Sequence, residues 1–465
     1  MRMRSVLIVG IVASLFLVAT TYLALADGAR PAPLHREGAP GKITDVRVVS
    51  LADEQGSVVL SFLNTDGSVA GTIGSTLLPN QPAAWNQAYY PAELPSPWHG
   101  SVVLYSDVPL ASIVNEYTNP MVEAASYVGS PEADPSTSAY LPSILKNAWT
   151  WTTMFAVQNT GTIPTTITVE FRDLSGALVD TDIYTDLQAG ASQYADQADD
   201  AELGSFFAGS AKITSDPEPI YAVANEDSTS YDTMAYEGFS DGSTSVYLPS
   251  ILKTYYCWSS DIRLMNVGTS STTATLEFRA LDGSLTYSTT ETLAPQQPWA
   301  TNQHFDTNLP SSWAGSVRIT TNNTPQPIVA IVNEVAQDAS CASGKSMSYS
   351  GVGEGQGDYS LPSILKYAWG WFTDIRMMNT TSSAVSVTRT YRDMGGSIVW
   401  SDTQPIPAYA VGAYNQSLEP ALGGFFAGSV KLEATGNIAV IVNEVAVTAD
   451  VSMVYNGIPV PPPAP

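Results

Sequence analysis

Leu141-Pro-Ser-Ile-Leu-Lys146 recurs without change from Leu248 to Lys253 and from Leu361 to Lys366. Copies roughly 110 residues apart exceed a solenoid unit and match a small globular domain, so the chain reads as a tandem array. Other markers keep the same beat and add a fourth copy. A Gly-Ser pair opens an alternating apolar stretch at Gly100, Gly209, Gly315 and Gly428. Asn-Glu follows at Asn115-Glu116, Asn225-Glu226, Asn333-Glu334 and Asn443-Glu444, and a Tyr-x-Gly closes each copy at Tyr127, Tyr236, Tyr349 and Tyr455. Copies 1 and 3 carry Trp98 and Trp313 before the Gly-Ser pair, whereas copies 2 and 4 carry Phe206-Phe207 and Phe425-Phe426. That alternation is what doubling a two-copy unit would leave behind.

Within copy 3, the runs Asp261 to Asn266, Thr273 to Phe278, Thr286 to Leu293, Gly315 to Thr321 and Pro327 to Val332 are rich in Val, Ile, Thr and Phe. They are short and are separated by Gly, Pro, Asn and Ser clusters, which is the pattern of strands. No segment sustains a 3.6-residue apolar period. About seven short strands per copy, without a long helix, predict an all-β chain: a tandem array of four immunoglobulin-like β-sandwich domains. The Gly after Asp66, Asp282 or Ser175 supplies a positive φ in a hairpin. The aromatic residue before each Gly-Ser, at Trp98, Phe207, Trp313 and Phe426, reads as a core plug or a wedge between domains.

The N-terminus has the form of a targeting segment. Arg2 and Arg4 precede an apolar run from Val6 to Leu25, and Ala24-Leu-Ala26 is a cleavage signal. An uncleaved membrane anchor is the rival reading of a run this long. The expected organisation is therefore 1–26 signal peptide, 27–40 Pro-containing linker, β-sandwich repeats at 41–139, 140–246, 247–359 and 360–458, and a Pro-rich tail at 459–465. Short, Pro-containing joints predict a semi-rigid rod or a compact stack.

The formal net charge is −25 and becomes more negative once Arg2 and Arg4 leave with the leader. Nucleic acid and anionic lipid, both polyanionic, are excluded as partners on that ground. Cys257 and Cys341 are the two cysteines. In an exported chain they are expected to pair, stabilising copy 3 by about 2 to 4 kcal/mol; free thiols or a link between molecules are the alternatives.

LPSILK, the Asn ending the next strand at Asn159, Asn266 and Asn379, the aromatic-Arg-x-x-x-Gly turn and Tyr-x-Gly together resemble the immunoglobulin-like, adhesion-related repeats of bacterial secreted and cell-surface proteins. The resemblance covers residues 41 to 458. It implies a fold and brings no catalytic or ligand residues with it.

Motifs for chemistry are sparse. His35, His99 and His304 have no second histidine at metal-ligand spacing, and there is no H-E-x-x-H, C-x-x-C or G-x-S-x-G. Glu116, Glu226, Glu334 and Glu444 recur singly, whereas acid-base catalysis needs two groups facing each other across a substrate. They read as residues bonding backbone groups at the sandwich rim, with a Ca²⁺ site between neighbouring domains as the functional alternative. Trp149 with Trp151, and Trp369 with Trp371, stand at alternate positions after LPSILK, where strand residues share a face. Exposed, such pairs stack on sugar rings; buried, they are core, and their recurrence favours structure. A looser set, Trp85, Tyr194, Trp299 and Tyr414, each shortly before a Gln, reads as a locally folded loop.

The expectation is thus an exported, non-enzymatic structural, adhesion or surface-coat protein that meets a cell-surface or extracellular protein or glycan. A carbohydrate-binding protein is the alternative, and an extracellular enzyme the third reading.

Overall fold

The computed structural model describes residues 16–18, 42–89, 94–95, 97–118, 121–131, 136–230, 232–322, 324–336, 346–447 and 451–460. Among them helix is confined to three short 3-10 turns, and the other regular structure is antiparallel β-sheet. No described helix is long and apolar enough to cross a membrane. The leader, apart from Phe16–Val18, and the 27–40 linker lie outside the described residues.

Repeat 2 displays the unit. Its strands in chain order are Ser138–Lys146, Trp151–Asn159, Thr165–Asp173, Leu178–Leu187, Ser192–Asp196, Phe207–Asp216, Ile220–Ser228 and Thr233–Glu237. The first, sixth, third and fourth form one sheet in that order; the fifth, second, seventh and eighth form the other. Repeat 3 repeats both orders. An immunoglobulin constant-type sandwich has seven strands arranged ABED and CFG, so the two-layer architecture is shared and the strand order differs. In repeat 4 one long strand, Phe426–Ala446, runs through both layers and joins them. In repeat 1 the place beside Gly100–Ser106 that LPSILK strands fill elsewhere is taken by Phe16–Val18.

LPSILK lies within the first strand of its repeat. Its Pro-Ser makes a bulge, because Pro has no N–H for the ladder: the register shifts between Leu141 and Ile144, Leu248 and Ile251, and Leu361 and Ile364. The flanking Leu and Ile are fully buried. The Lys turns inward and donates to backbone carbonyls, from Lys253 Nζ to the Asp306 and Leu309 oxygens and from Lys366 Nζ to that of Glu419. Tyr-x-Gly completes the motif, since the Tyr236, Tyr349 and Tyr455 hydroxyls donate to the carbonyls of Ser143, Ser250 and Ser363. Each Gly-Ser glycine lies against the third strand; a Cβ would sit 2.0 Å from the Arg172 oxygen at Gly209 and 1.9 Å from the Arg392 oxygen at Gly428. The preceding Phe207, Trp313 and Phe426 are core plugs against Phe171, Phe278 and Tyr391.

The two layers differ in what covers them. Thr165–Asp173 alternates buried and half-buried residues, the signature of a sheet with one wet face. Ile220–Ser228 is buried at nearly every position, so its sheet is covered on both sides. The second cover is the next repeat. Tyr221 and Val223 of repeat 2 join the core cluster of repeat 1, Ile331 of repeat 3 joins that of repeat 2, and Ile441 of repeat 4 joins that of repeat 3. Ala111 and Ile113 of repeat 1 join that of repeat 4.

The series therefore closes. The eighth strands, Ala124–Val128, Thr233–Glu237, Ser346–Ser350 and Ser452–Asn456, touch in cyclic order, with the last against the first, and line a common axis. Hairpin turns close the same circle on the outside. The Thr65 oxygen accepts from Ser192 N (3.0 Å), Leu174 from Gln297 Nε2 (3.2 Å), Leu281 from Val411 N (2.9 Å) and Met394 from Gln81 Nε2 (3.3 Å). The expected rod or stack is corrected to a ring, because the inner sheet of each repeat is buried on both faces and a linear array would leave one of them in water at an end.

Candidate functional site

The recurring glutamates are not rim residues. Asn225 Nδ2 donates to Glu116 (2.8 Å), Asn333 to Glu226 (2.7 Å) and Asn115 to Glu444 (3.1 Å), so at three of the four seams the Asn bonds the Glu of the preceding repeat. The last of these joins repeat 1 to repeat 4. All four carboxyls are buried. Burial pushes Glu116, Glu226 and Glu334 up to about 7 and raises Glu444 as well. Cations oppose that shift: Arg263 near Glu226, Arg376 near Glu334 and Arg47 near Glu444 reach across the seams, whereas Lys42 near Glu116 belongs to the same repeat.

These arginines were missed in the sequence, although a signal was available. Asp45-Val-Arg47, Asp261-Ile-Arg263 and Asp374-Ile-Arg376 recur at one place, and each Asp holds its Arg at 2.8 to 3.1 Å. Repeat 2 has Met154 and Ala156 instead. The seam it shares with repeat 1 uses Lys42, bonded to Asp227 at 3.2 Å.

The tryptophan pairs do not share a strand face. Trp151 and Trp371 begin second strands, and Trp371 is only 7 % exposed. Trp149 and Trp369 precede them in the tight turn from the first strand, at φ of 51° and 52°. They are 58 % and 64 % exposed. Tyr256 holds the same place in repeat 3, at φ 47° and 82 % exposed. With the following residue also at positive φ, these are two-residue hairpin turns of the kind that favours Asn and Gly. A bulky aromatic there is a backbone outlier.

Each turn is the base of an aromatic corner. Trp149 meets Phe206 edge-on, with centroids 5.8 Å apart and planes at 83°; Trp369 meets Phe425 likewise, at 6.2 Å and 81°. Both phenylalanines are exposed. The Arg263 guanidinium lies 5.3 Å from the Trp149 ring centre, and that of Arg47 lies 5.8 Å from Trp369. Both arginines come from the next repeat and are held by their aspartates, so each indole is oriented by a neighbour. Repeats 1 and 3 have Pro97 and Ser312 at the position of Phe206. Repeat 3 instead has Tyr255 against Tyr256, 4.7 Å apart.

The corners lie on one face of the ring. Val128, Glu237, Ser350 and Asn456, each last in its axial strand, are linked: Glu237 accepts from Val128 N and from Ser350 Oγ (2.9 Å), and Asn456 accepts from Ser350 N (3.0 Å). The four axial strands thus run in the same direction. Their starting ends adjoin the corner turns, as the bonds Thr229 N to Thr150 O (3.0 Å) and Val447 N to Gly370 O (2.7 Å) record.

Other expected sites have simpler accounts. Trp85, Tyr194, Trp299 and Tyr414 belong to the fifth strands and not to loops. Cys257 is disulfide-bonded; Cys341 lies outside the described residues. Asp180, Asp200 and Glu202 bring carboxylate oxygens within 4.8 Å of one another. Burial and neighbouring aspartates raise the pKa of Asp200, and nothing else described there points to a ligand. A cleft at the seam of repeats 4 and 1 is lined by Asp53, Asn80, Arg392 and Lys431 among others.

No protein-family model matches the chain, and no curated protein matches its sequence. Among solved structures, the one described as Thermotoga maritima 1070 is 14% identical, with 24% of this chain and 96% of that one covered, at a TM-score of 0.21. Dimeric latent PorU from Porphyromonas gingivalis is 12% identical, with 75% of this chain and 31% of that one covered, at a TM-score of 0.12. Similarity at this level carries no argument about fold or function.

Proposed function

We propose that the chain is an exported, non-enzymatic structural, adhesion or surface-coat protein, built of four immunoglobulin-like β-sandwich repeats in the broad sense of two facing antiparallel sheets. One observation supports this reading most: the recurring residues are used in building the ring. LPSILK, Gly-Ser, Asn-Glu and Tyr-x-Gly all serve strand, core or seam, and repetition of this kind serves architecture first. The strongly negative charge suits a surface exposed to an extracellular medium. Fractionating the producing cells and sequencing the product's N-terminus tests the proposal. A product starting at Asp27 in the medium or envelope is expected; a cytoplasmic product retaining Met1 would contradict it.

The exposed corners favour a second reading, carbohydrate binding. A fixed indole with a perpendicular phenyl offers a flat apolar platform on which the C–H face of a pyranose can stack. Trp149 and Trp369 would carry the contact, with Phe206 and Phe425 as side walls, while the buried Trp371 would not. Binding on a glycan array that is lost when Trp149→Asn and Trp369→Asn are combined supports this reading, and unchanged binding contradicts it.

A further inference from the structure

We infer that the corners of repeats 2 and 4 act as a pair, so that the ligand is a long neutral polysaccharide spanning the ring face and not a short oligosaccharide. The inference rests on the carbohydrate reading and deepens it. Three independent observations carry it. First, the ring places repeats 2 and 4 across the axis from each other, and the shared direction of the axial strands puts both corners on the same face. Second, those two repeats alone combine an exposed Trp, an exposed perpendicular Phe and an Arg from the next repeat. Third, their backbone is the wrong one for the residue. Trp149 and Trp369 occupy a left-handed turn position that Asn or Gly would fill without strain, and exposure shows that they do not serve the core.

Two equal platforms on one rigid face convert a second contact into an intramolecular one, provided the ligand is long enough to reach both. Tyr256 stands at the corner between them, exposed on the same face. The chain's charge of −25 disfavours anionic polymers, which leaves neutral glycans. The arginines do not alter that, because both are paired with aspartate at 2.8 and 2.9 Å.

The test uses the full chain with soluble β-glucan, xylan and galactomannan, and with hexasaccharides cut from each, measured by affinity electrophoresis and titration calorimetry. Asn is the replacement of choice because it suits a positive φ, so loss of the ring is not confounded by misfolding. At least one polymer should bind about 10²-fold more tightly than its hexasaccharide. Trp149→Asn or Trp369→Asn alone should bring the polymer to hexasaccharide strength, and the double variant should bind neither. If polymer and hexasaccharide bind equally and each single variant only halves the stoichiometry, the corners are independent; the pairing is overturned and the carbohydrate reading stands. If none of the glycans binds, or binding survives the double replacement, both are overturned.

Discussion

At the scale of single residues, the buried glutamates set a pH dependence with a definite sign. Glu116, Glu226 and Glu334 ionise near 4.5 in an open chain and at about 7 in the fold, so the native state holds their protons more tightly. Their contribution is fully present below about 4.5 and is lost as pH rises through 7. The urea midpoint should therefore fall between pH 5 and pH 8, and replacing all three by Gln should flatten that slope. A slope equally steep in the triple variant would refute the assignment. Asp66, Asp173 and Asp282, in hairpin turns, act in the opposite sense and in a separate window. Serine hydroxyls chiefly hold them below the ordinary carboxylate value, so their share is lost as pH falls below about 4. The turn glycines carry a second single-residue constraint. Gly283 has φ 86°, and a Cβ there would lie 2.3 Å from the Ala408 oxygen of the next repeat. Gly283→Ala should cost about 1 to 3 kcal/mol in chemical denaturation, whereas no loss would mean that the turn is free of its neighbour. The positive φ of such glycines was legible in the Asp-Gly and Asp-x-x-Gly spacing. The approach of the next repeat was not, because nothing local encodes it.

At the scale of the strand, LPSILK joins three demands: apolar residues facing inward, a bulge at Pro-Ser, and a lysine that bonds loop carbonyls. Leu248→Ala should destabilise by about 2 to 5 kcal/mol, as for other fully buried leucines. Tyr349→Phe tests the link from Tyr-x-Gly back to this strand. It strands the Ser250 N–H and carbonyl in the interior and should cost about 1 to 3 kcal/mol; a neutral result would remove Tyr-x-Gly from the account of the fold. Strand identity was legible from β-branched runs and turn residues. The distinction between layers was also within reach: Pro327-Ile-Val-Ala-Ile-Val332 is continuously apolar, whereas Thr273 to Phe278 alternates, and continuity marks a sheet covered on both faces. The corner turns were misread because alternation was extended through Trp149 and Trp369. Two-residue hairpins normally advertise themselves with Asn or Gly, and here only Gly370 does.

At the scale of the molecule, an Asn-Glu bond, a shared core cluster and a docked hairpin turn connect repeat 4 to repeat 1. Shared clusters and docked turns connect every other neighbouring pair, and Asn-Glu bonds connect two of them. The described contacts at the seams are hydrogen bonds, apolar packing and the charges of Arg or Lys. Chelation with EDTA should therefore leave the melting temperature unchanged, and a drop of several degrees would restore the calcium alternative. The recurrence of four markers in order was legible in the sequence. Closure was not, since equal repeats can build a rod or a ring, and the difference lies in which faces meet. The recurring Asp-x-Arg, interrupted only in repeat 2, was the available hint that a buried partner lay outside each repeat. The most direct test of closure is the distance between spin labels at Asp53 of repeat 1 and Lys431 of repeat 4, which line the same cleft. The ring predicts a single narrow distribution below about 25 Å, less than the length of one nine-residue strand. A linear array interposes two whole repeats, so a distance beyond about 60 Å would contradict the closed ring.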